Sequence, residues 1–298
     1  MTEHSARVGD IDLCYETFGD AADPAALLIM GLGTQMLGWH EDFCAQLAGR
    51  GFHVIRFDNR DVGRSTQIRD VAPPNPLQLL TRSKSAAGYT LDDLADDAAG
   101  LIDALGTERA HVIGASMGGM IAQTMATRHP DRVLSLVSIM SSTGHRRHGQ
   151  PSPRIYDVFL KRAPRDPEAY AEHTVKLFRR IGSQGFERDE GELRQRAQAG
   201  LRRGGSAAGV GRQLAAVLAS GDRTEQLRSI QAPTLVIHGD RDPMINPSGG
   251  RATARVIPGA ELMIIEGMGH DLPRGAWPRI LDGIEANAAR AAGRAVAA

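Results

Sequence analysis

Ala110-His111-Val112-Ile113-Gly114-Ala115-Ser116-Met117-Gly118-Gly119 is the stretch from which the fold can be read. Its first six residues form a run without the alternation of a strand that has one wet face, and such runs belong to strands buried on both faces of a parallel sheet. Ser116 follows, with a glycine two residues before it and another two residues after it, and a helical pattern over 117–128 begins at once. A serine on so sharp a strand-to-helix turn must take strained backbone angles among crowded neighbours. The flanking glycines remove the side chains that would collide. Such a turn lifts the Ser116 hydroxyl clear of the sheet edge. The Met117 N–H, at the start of the helix, then points where negative charge would develop, with the helix dipole behind it.

Working outward, short apolar runs recur at 26–30, 53–57, 133–140, 234–238 and 261–265, each ending at turn residues. Helical patterns fill the gaps at about 39–49, 90–105, 248–256 and 276–292. The second of these opens on Thr90 as N-cap with Asp93 three places on, and it stops at Gly106. Strand and helix in alternation predict an α/β fold, a mostly parallel sheet with helices on both faces and ligands outside the carboxyl ends of the strands. One stretch breaks the alternation. Residues 145–223 hold no buried-strand run, and helical pieces such as 168–180 and 210–219 carry many charges, as expected of a mostly helical insertion between two strands. This insertion has 16 Lys+Arg against 9 Asp+Glu. Such a surplus suits a solvated, arginine-rich outer face, or one that partly faces the site and favours an acidic substrate.

Composition removes whole classes of function. The 298 residues carry 35 Lys+Arg and 35 Asp+Glu, with 42% hydrophobic side chains, which suits one large domain or two small ones. A balanced charge gives no footprint for phosphate backbones or anionic lipid, so neither nucleic acid nor membrane is an expected partner. Only Cys14 and Cys44 are present, too few for a disulfide framework or a thiolate zinc site, and a cytoplasmic setting is expected. No apolar run approaches the roughly 20 residues of a spanning helix, and no secretory signal pattern opens the chain. Gly31-Leu32-Gly33 places Met36 where a dinucleotide fingerprint needs its third glycine, no phosphate-loop lysine occurs, and His40-Glu41 lacks a second histidine at zinc spacing. No metal or organic cofactor is expected.

A serine hydroxyl is a weak nucleophile at neutral pH and needs a base that is held in turn by a carboxylate. Candidates must follow strands that end on the same sheet edge. After 234–238 comes Gly239-Asp240-Arg241-Asp242-Pro243, and after 261–265 comes Glu266-Gly267-Met268-Gly269-His270. His270 is delivered by a short glycine-spaced loop, downstream of both serine and acid, in the chain order Ser, Asp, His. Asp242 lies further into its loop than Asp240, which can instead hold the turn through a side-chain-to-backbone bond.

These residues carry a resemblance that spans nearly the whole chain. Leu28-Ile29-Met30-Gly31-Leu32-Gly33 with Trp39 beyond, Asp58-Asn59-Arg60-Asp61-Val62-Gly63-Arg64-Ser65, the turn at Ser116, His238 to Asp242 and Gly267 to His270 resemble the α/β-hydrolase superfamily. Within it, the chain is similar to bacterial serine esterases of the aclacinomycin methylesterase type. The resemblance implies an α/β-hydrolase core over 1–144 and 224–298 with a helical cap over 145–223. It also implies Ser116 as nucleophile, His270 as general base then acid, Asp242 as its orienting partner, and an oxyanion hole from the Met117 and Leu32 N–H groups. Many relatives carry His-Gly where this chain has Met30-Gly31, and a thioether cannot brace the loop as an imidazole can. The segment from Asp58 to Ser65 reads as scaffold, bracing neighbouring loops through Arg60 and Asp61. The expected reaction is hydrolysis of small to medium acyl or methyl esters by way of an acyl-enzyme, with the ester and water as the only small-molecule partners. A carbon–carbon bond hydrolase, a cofactor-free perhydrolase and, further off, a ligand receptor could use the same groups. Met36, Met140, Tyr156, Phe159, Phe178 and Leu214 are the apolar candidates for the pocket.

Overall fold

A computed structural model describes residues 2–81, 88–155 and 163–297, except the side chains of 76, 80 and 294–297. Six of its eight strands coincide with the apolar runs to within a residue or two: β3 (Ala25–Ile29), β4 (His53–Phe57), β5 (Ala110–Ala115), β6 (Val133–Ile139), β7 (Thr234–Gly239) and β8 (Glu261–Ile265). Two more precede them, β1 (His4–Val8) and β2 (Ile11–Phe18), which no buried run announced. The sheet order is β1-β2-β4-β3-β5-β6-β7-β8. β2 runs antiparallel to both β1 and β4, and the remaining pairs are parallel.

The lack of alternation in these runs has a direct cause. Along β3, Leu27 and Ile29 enter one apolar cluster while Ala26 and Leu28 enter another, so successive side chains are buried on opposite faces of the sheet. The first cluster is closed by α3 (Leu91–Ala104) and α4 (Met117–Arg128), and the second by α1 (Glu41–Ala48) and α10 (Trp277–Ala297). α3 begins as its sequence requires: Thr90 and Asp93 form a reciprocal capping box. Two more helices complete the core, a short α2 (Pro76–Thr81) and α9 (Ser248–Val256).

Between β6 and β7 the described chain is helical: α5 (Pro167–Ile181), α6 (Glu190–Arg203), α7 (Ala207–Ser220) and a four-residue α8 (Thr224–Leu227). α5 and α7 match two expected helical pieces. α6 was not foreseen, because it buries only Leu193 and so shows no apolar stripe. Arginines such as Arg146, Arg147 and Arg202 are exposed, as on a solvated outer face, but part of the surplus meets neither expectation. Arg203 and Arg212 point inward and pair with Asp58 and Asp61, whose carboxylates are fully buried in the α/β layer. Part of the insertion's positive charge is therefore neutralised by the negative remainder of the chain, neither solvated nor free to meet a substrate.

Candidate active site

β5 runs straight into α4, and Ser116 at the junction has φ 57° and ψ −120°, a region in which L-residues are strained. The strain persists because the surroundings leave no alternative. The Ser116 N–H donates to Ile139 O at 2.9 Å. A methyl group on Gly114 would lie 2.0 Å from Gly118 O, and one on Gly118 would lie 2.1 Å from Ile29 O. Both positions thus require glycine, and their close packing lifts the serine off the sheet.

His270 Nε2 stands 3.0 Å from Ser116 Oγ, and His270 Nδ1 stands 2.8 Å from Asp242 Oδ2. Asp242 is itself over-determined. Its Oδ1 accepts the N–H groups of Met244 (2.8 Å) and Ile245 (3.0 Å), and its side chain is fully buried. Burial pushes the Asp242 carboxyl upward, but the His270 and His238 imidazoles outweigh burial and hold it well below the ordinary carboxylate range. Asp240 takes no part in this chain of bonds: its Oδ1 accepts the Gly267 N–H at 2.7 Å and so holds the loop that leads to His270.

His238, the penultimate residue of β7, went unremarked as a site residue in the sequence. It is fully buried, and its Nε2 lies 2.8 Å from Ile245 O and 3.4 Å from Asp242 Oδ2. Both neighbours are acceptors, so Nε2 must carry the proton that they share. The histidine thereby braces the outer side of the carboxylate that meets His270. Its place four residues before Asp242, at a strand end, was the available signal.

The loop after β3 approaches the serine closely, with a methyl group on Gly31 falling 3.0 Å from Ser116 Cβ. Among the described residues neither the Leu32 nor the Met117 N–H has a protein acceptor. Met30 leaves the loop without an imidazole brace, and other side chains hold it. Asn59 Nδ2 donates to Met30 O (3.0 Å), Asp58 Oδ1 accepts the Met36 N–H (2.7 Å), and Gln213 Oε1 of α7 accepts the Gly33 N–H (2.8 Å). The segment from Asp58 to Ser65 is bonded throughout: Arg60 forks onto Asp97 with two bonds of 2.6 Å, and Asp61 accepts from Tyr89 and Arg212. Gln213, wholly buried on the insertion, could not have been singled out from its local sequence.

The apolar residues expected at the pocket differ in burial. Met36 is fully buried beside Asp58, and Met140 is buried in the second apolar cluster at φ 42° just beyond β6. Phe178 on α5 and Leu214 on α7 are partly exposed, and Tyr156 and Phe159 lie outside the described residues.

The chain belongs to the α/β-hydrolase fold family, whose match runs over residues 24–273. It is 30% identical over 286 residues to a rhodomycin D methylesterase of Streptomyces sp. (strain C5), covering 89% of this chain and 90% of that one. The rhodomycin D methylesterase of Streptomyces peucetius is 29% identical over 283 residues with the same coverage. Among solved structures, a hydrolase from Pseudomonas aeruginosa superposes with a TM-score of 0.70 at 26% identity, covering 98% of each chain.

Proposed function

We propose that the protein is a serine carboxylic-ester hydrolase acting on small to medium acyl or methyl esters through an acyl-enzyme. The observation that carries this reading is the continuous relay from Asp242 through His270 to Ser116, ending on a hydroxyl raised by backbone strain. The likeness to two methylesterases favours esters over the other reactions open to such a relay.

In this reading Ser116 Oγ attacks the ester carbonyl carbon as its proton passes to His270 Nε2. The oxyanion that forms faces the Met117 and Leu32 N–H groups. Collapse breaks the bond to the alkoxy oxygen, which leaves as the alcohol with the proton from His270. Water then attacks the acyl-enzyme, giving its proton to His270, and the acid departs as Ser116 regains its hydrogen. Asp242 keeps the Nδ1 proton in place and stabilises the imidazolium. Residues 145–223 serve as a cap over a core of 1–144 and 224–298, and Met36, Met140, Phe178 and Leu214 supply apolar surface near the acyl group. A reducing cytoplasm suits Cys14 and Cys44, which are buried free thiols. No described helix is long and apolar enough to cross a membrane.

The test is hydrolysis of p-nitrophenyl acetate, butyrate and octanoate, with methanol release from simple methyl esters, by wild type and Ser116→Ala. Turnover should depend on chain length and fall by roughly 10⁴-fold or more in the variant. A well-folded wild type that turns over none of these esters would overturn the reading in favour of carbon–carbon hydrolysis.

A further inference from the structure

The main chain around His270 is held by two different parts of the molecule. Up to Met268 most of the hydrogen bonds run to the α/β core, although the insertion takes Gly267 O: Asp240 Oδ1 accepts from Gly267, Met268 O accepts the Arg241 N–H at 3.0 Å, and the Met268 N–H reaches Ile265 O at 3.4 Å. At Gly269 the partners change. The Gly269 N–H donates to Ser183 Oγ (2.9 Å), and the His270 N–H donates to Ile181 O (2.7 Å). The Asp271 Oδ1 accepts both the Ser183 N–H (2.9 Å) and the Ser183 hydroxyl (2.5 Å). Three consecutive residues, with the histidine in the middle, are thus bonded to the segment that leaves α5 in the insertion. Core bonding resumes only at Leu272, whose carbonyl accepts from Trp277 Nε1.

The two backbones are also pressed together. A methyl group on Gly269 would lie 2.4 Å from the Gly182 carbonyl carbon, and Gln184 and Gly185 both donate to Gly267 O, at 3.0 and 2.9 Å. Ser183 and Asp242 are buried, whereas the His270 side chain is 11% exposed. An imidazole reached by solvent, with partners only at its two ring nitrogens, depends on its backbone for direction, and a shift of about 1 Å in such a group can cost about 100-fold in rate.

We propose that Ser183 is a positioning residue for His270: its hydroxyl, spanning the Gly269 N–H and the Asp271 carboxylate, clamps the main chain on both sides of the imidazole and keeps Nε2 in line with Ser116. The proposal rests on His270 being the base of the esterase reading. It makes the insertion part of the catalytic apparatus as well as a cover for the pocket. Ser183 acts through His270 and touches neither substrate nor reacting atoms.

The experiment compares wild type, Ser183→Ala and Ser183→Cys. The cysteine variant keeps the side chain's shape with a slightly larger atom but replaces the hydroxyl by a weak donor and weak acceptor, so it decides the matter if the alanine variant is not recovered folded. Three readouts are taken: kcat and KM on p-nitrophenyl butyrate, the rate of Ser116 phosphonylation by a fluorophosphonate, and the low-field proton resonance of the His270 Nδ1–H. The expected result is a fall of about 10- to 100-fold in kcat and in phosphonylation with KM little changed. The low-field resonance should shift or broaden. A serine that only fastened the insertion would raise KM and leave the resonance in place, and that result overturns the proposal. So does a folded variant with kcat and resonance unchanged. Failure of the esterase reading is seen separately, as a wild type that neither turns over ester nor reacts at Ser116; the resonance still reports there whether Ser183 sets the histidine.

Discussion

Ser116 and His270 stand 3.0 Å apart, yet the molecule holds them by opposite means. The serine is fixed from within the α/β core, by a buried strand, two glycines packed against carbonyl oxygens and a backbone with nowhere else to go. The main chain at the histidine is fixed from outside that core, by side-chain and main-chain bonds to the segment from Ile181 to Ser183. The loop facing the serine repeats the second pattern, since Gln213 of α7 takes the Gly33 N–H. The difference teaches that the serine is placed mainly by close packing of backbone within the core. The histidine is placed by a few directional polar bonds, and those made by side chains can each be removed by a single substitution.

The contrast is sharpened most strongly by the two aspartates after β7. Asp242→Asn leaves the shape of the relay but spoils the orientation and charge that His270 needs, and kcat should fall by roughly 10³- to 10⁴-fold. Asp240→Asn disturbs the bond to Gly267 and an exposed pairing with Arg241, and should reduce kcat by about tenfold or less. Steady-state kinetics of the pair checks this, and equal losses would mean that the loop bond matters as much as the relay.

A second comparison breaks one link between insertion and core. Arg212 and Asp61 form a bidentate pair, with side chains 5% and 0% exposed. Arg212→Met strands a buried carboxylate and should lower stability by about 3–5 kcal/mol in urea unfolding. A loss of about 1 kcal/mol or less would place this contact with ordinary exposed ion pairs.

The smallest expected effect tests the strand that carries Ser116. Burial, with Arg109 adding to it, pulls the His111 pKa from 6.5 down to about 4, and its Nδ1 lies 2.8 Å from Ser135 Oγ. The folded protein therefore keeps this imidazole neutral while the unfolded chain takes up a proton below pH 6.5. Stability should fall as pH drops from 6.5 towards 4, by roughly 3 kcal/mol from this group, and the contribution should then level off. Denaturation of wild type and His111→Asn across that range should show a shallower slope in the variant. Parallel slopes would mean that His111 is hydrated in the folded state.

Much of this architecture was legible without coordinates. The central strands announced themselves because both faces are buried, whereas β1 and β2 sit at an antiparallel edge where exposed residues interrupt the apolar run. α6 was missed for the same physical reason, since a helix that buries one leucine leaves no stripe to read. At the site, Ser116 could be read from its glycines, and His270 and Asp242 from their places after strand ends. His238 left only its place four residues before Asp242 as a signal, and Ser183 and Gln213 left none, because a lone serine or glutamine looks the same in sequence whether it faces water or clamps a loop.

The sequence by itself determined the α/β alternation, the strained turn at Ser116 and the places of Asp242 and His270 just after strand ends, because each depends on residues near one another in the chain. Only the tertiary structure decided that Asp240 would brace Gly267, that Arg203 and Arg212 would turn inward to buried aspartates, and that Ser183 would flank His270 on both sides. Those outcomes depend on directional bonds between groups far apart in sequence, whose geometry exists only once the sheet and the insertion have packed together.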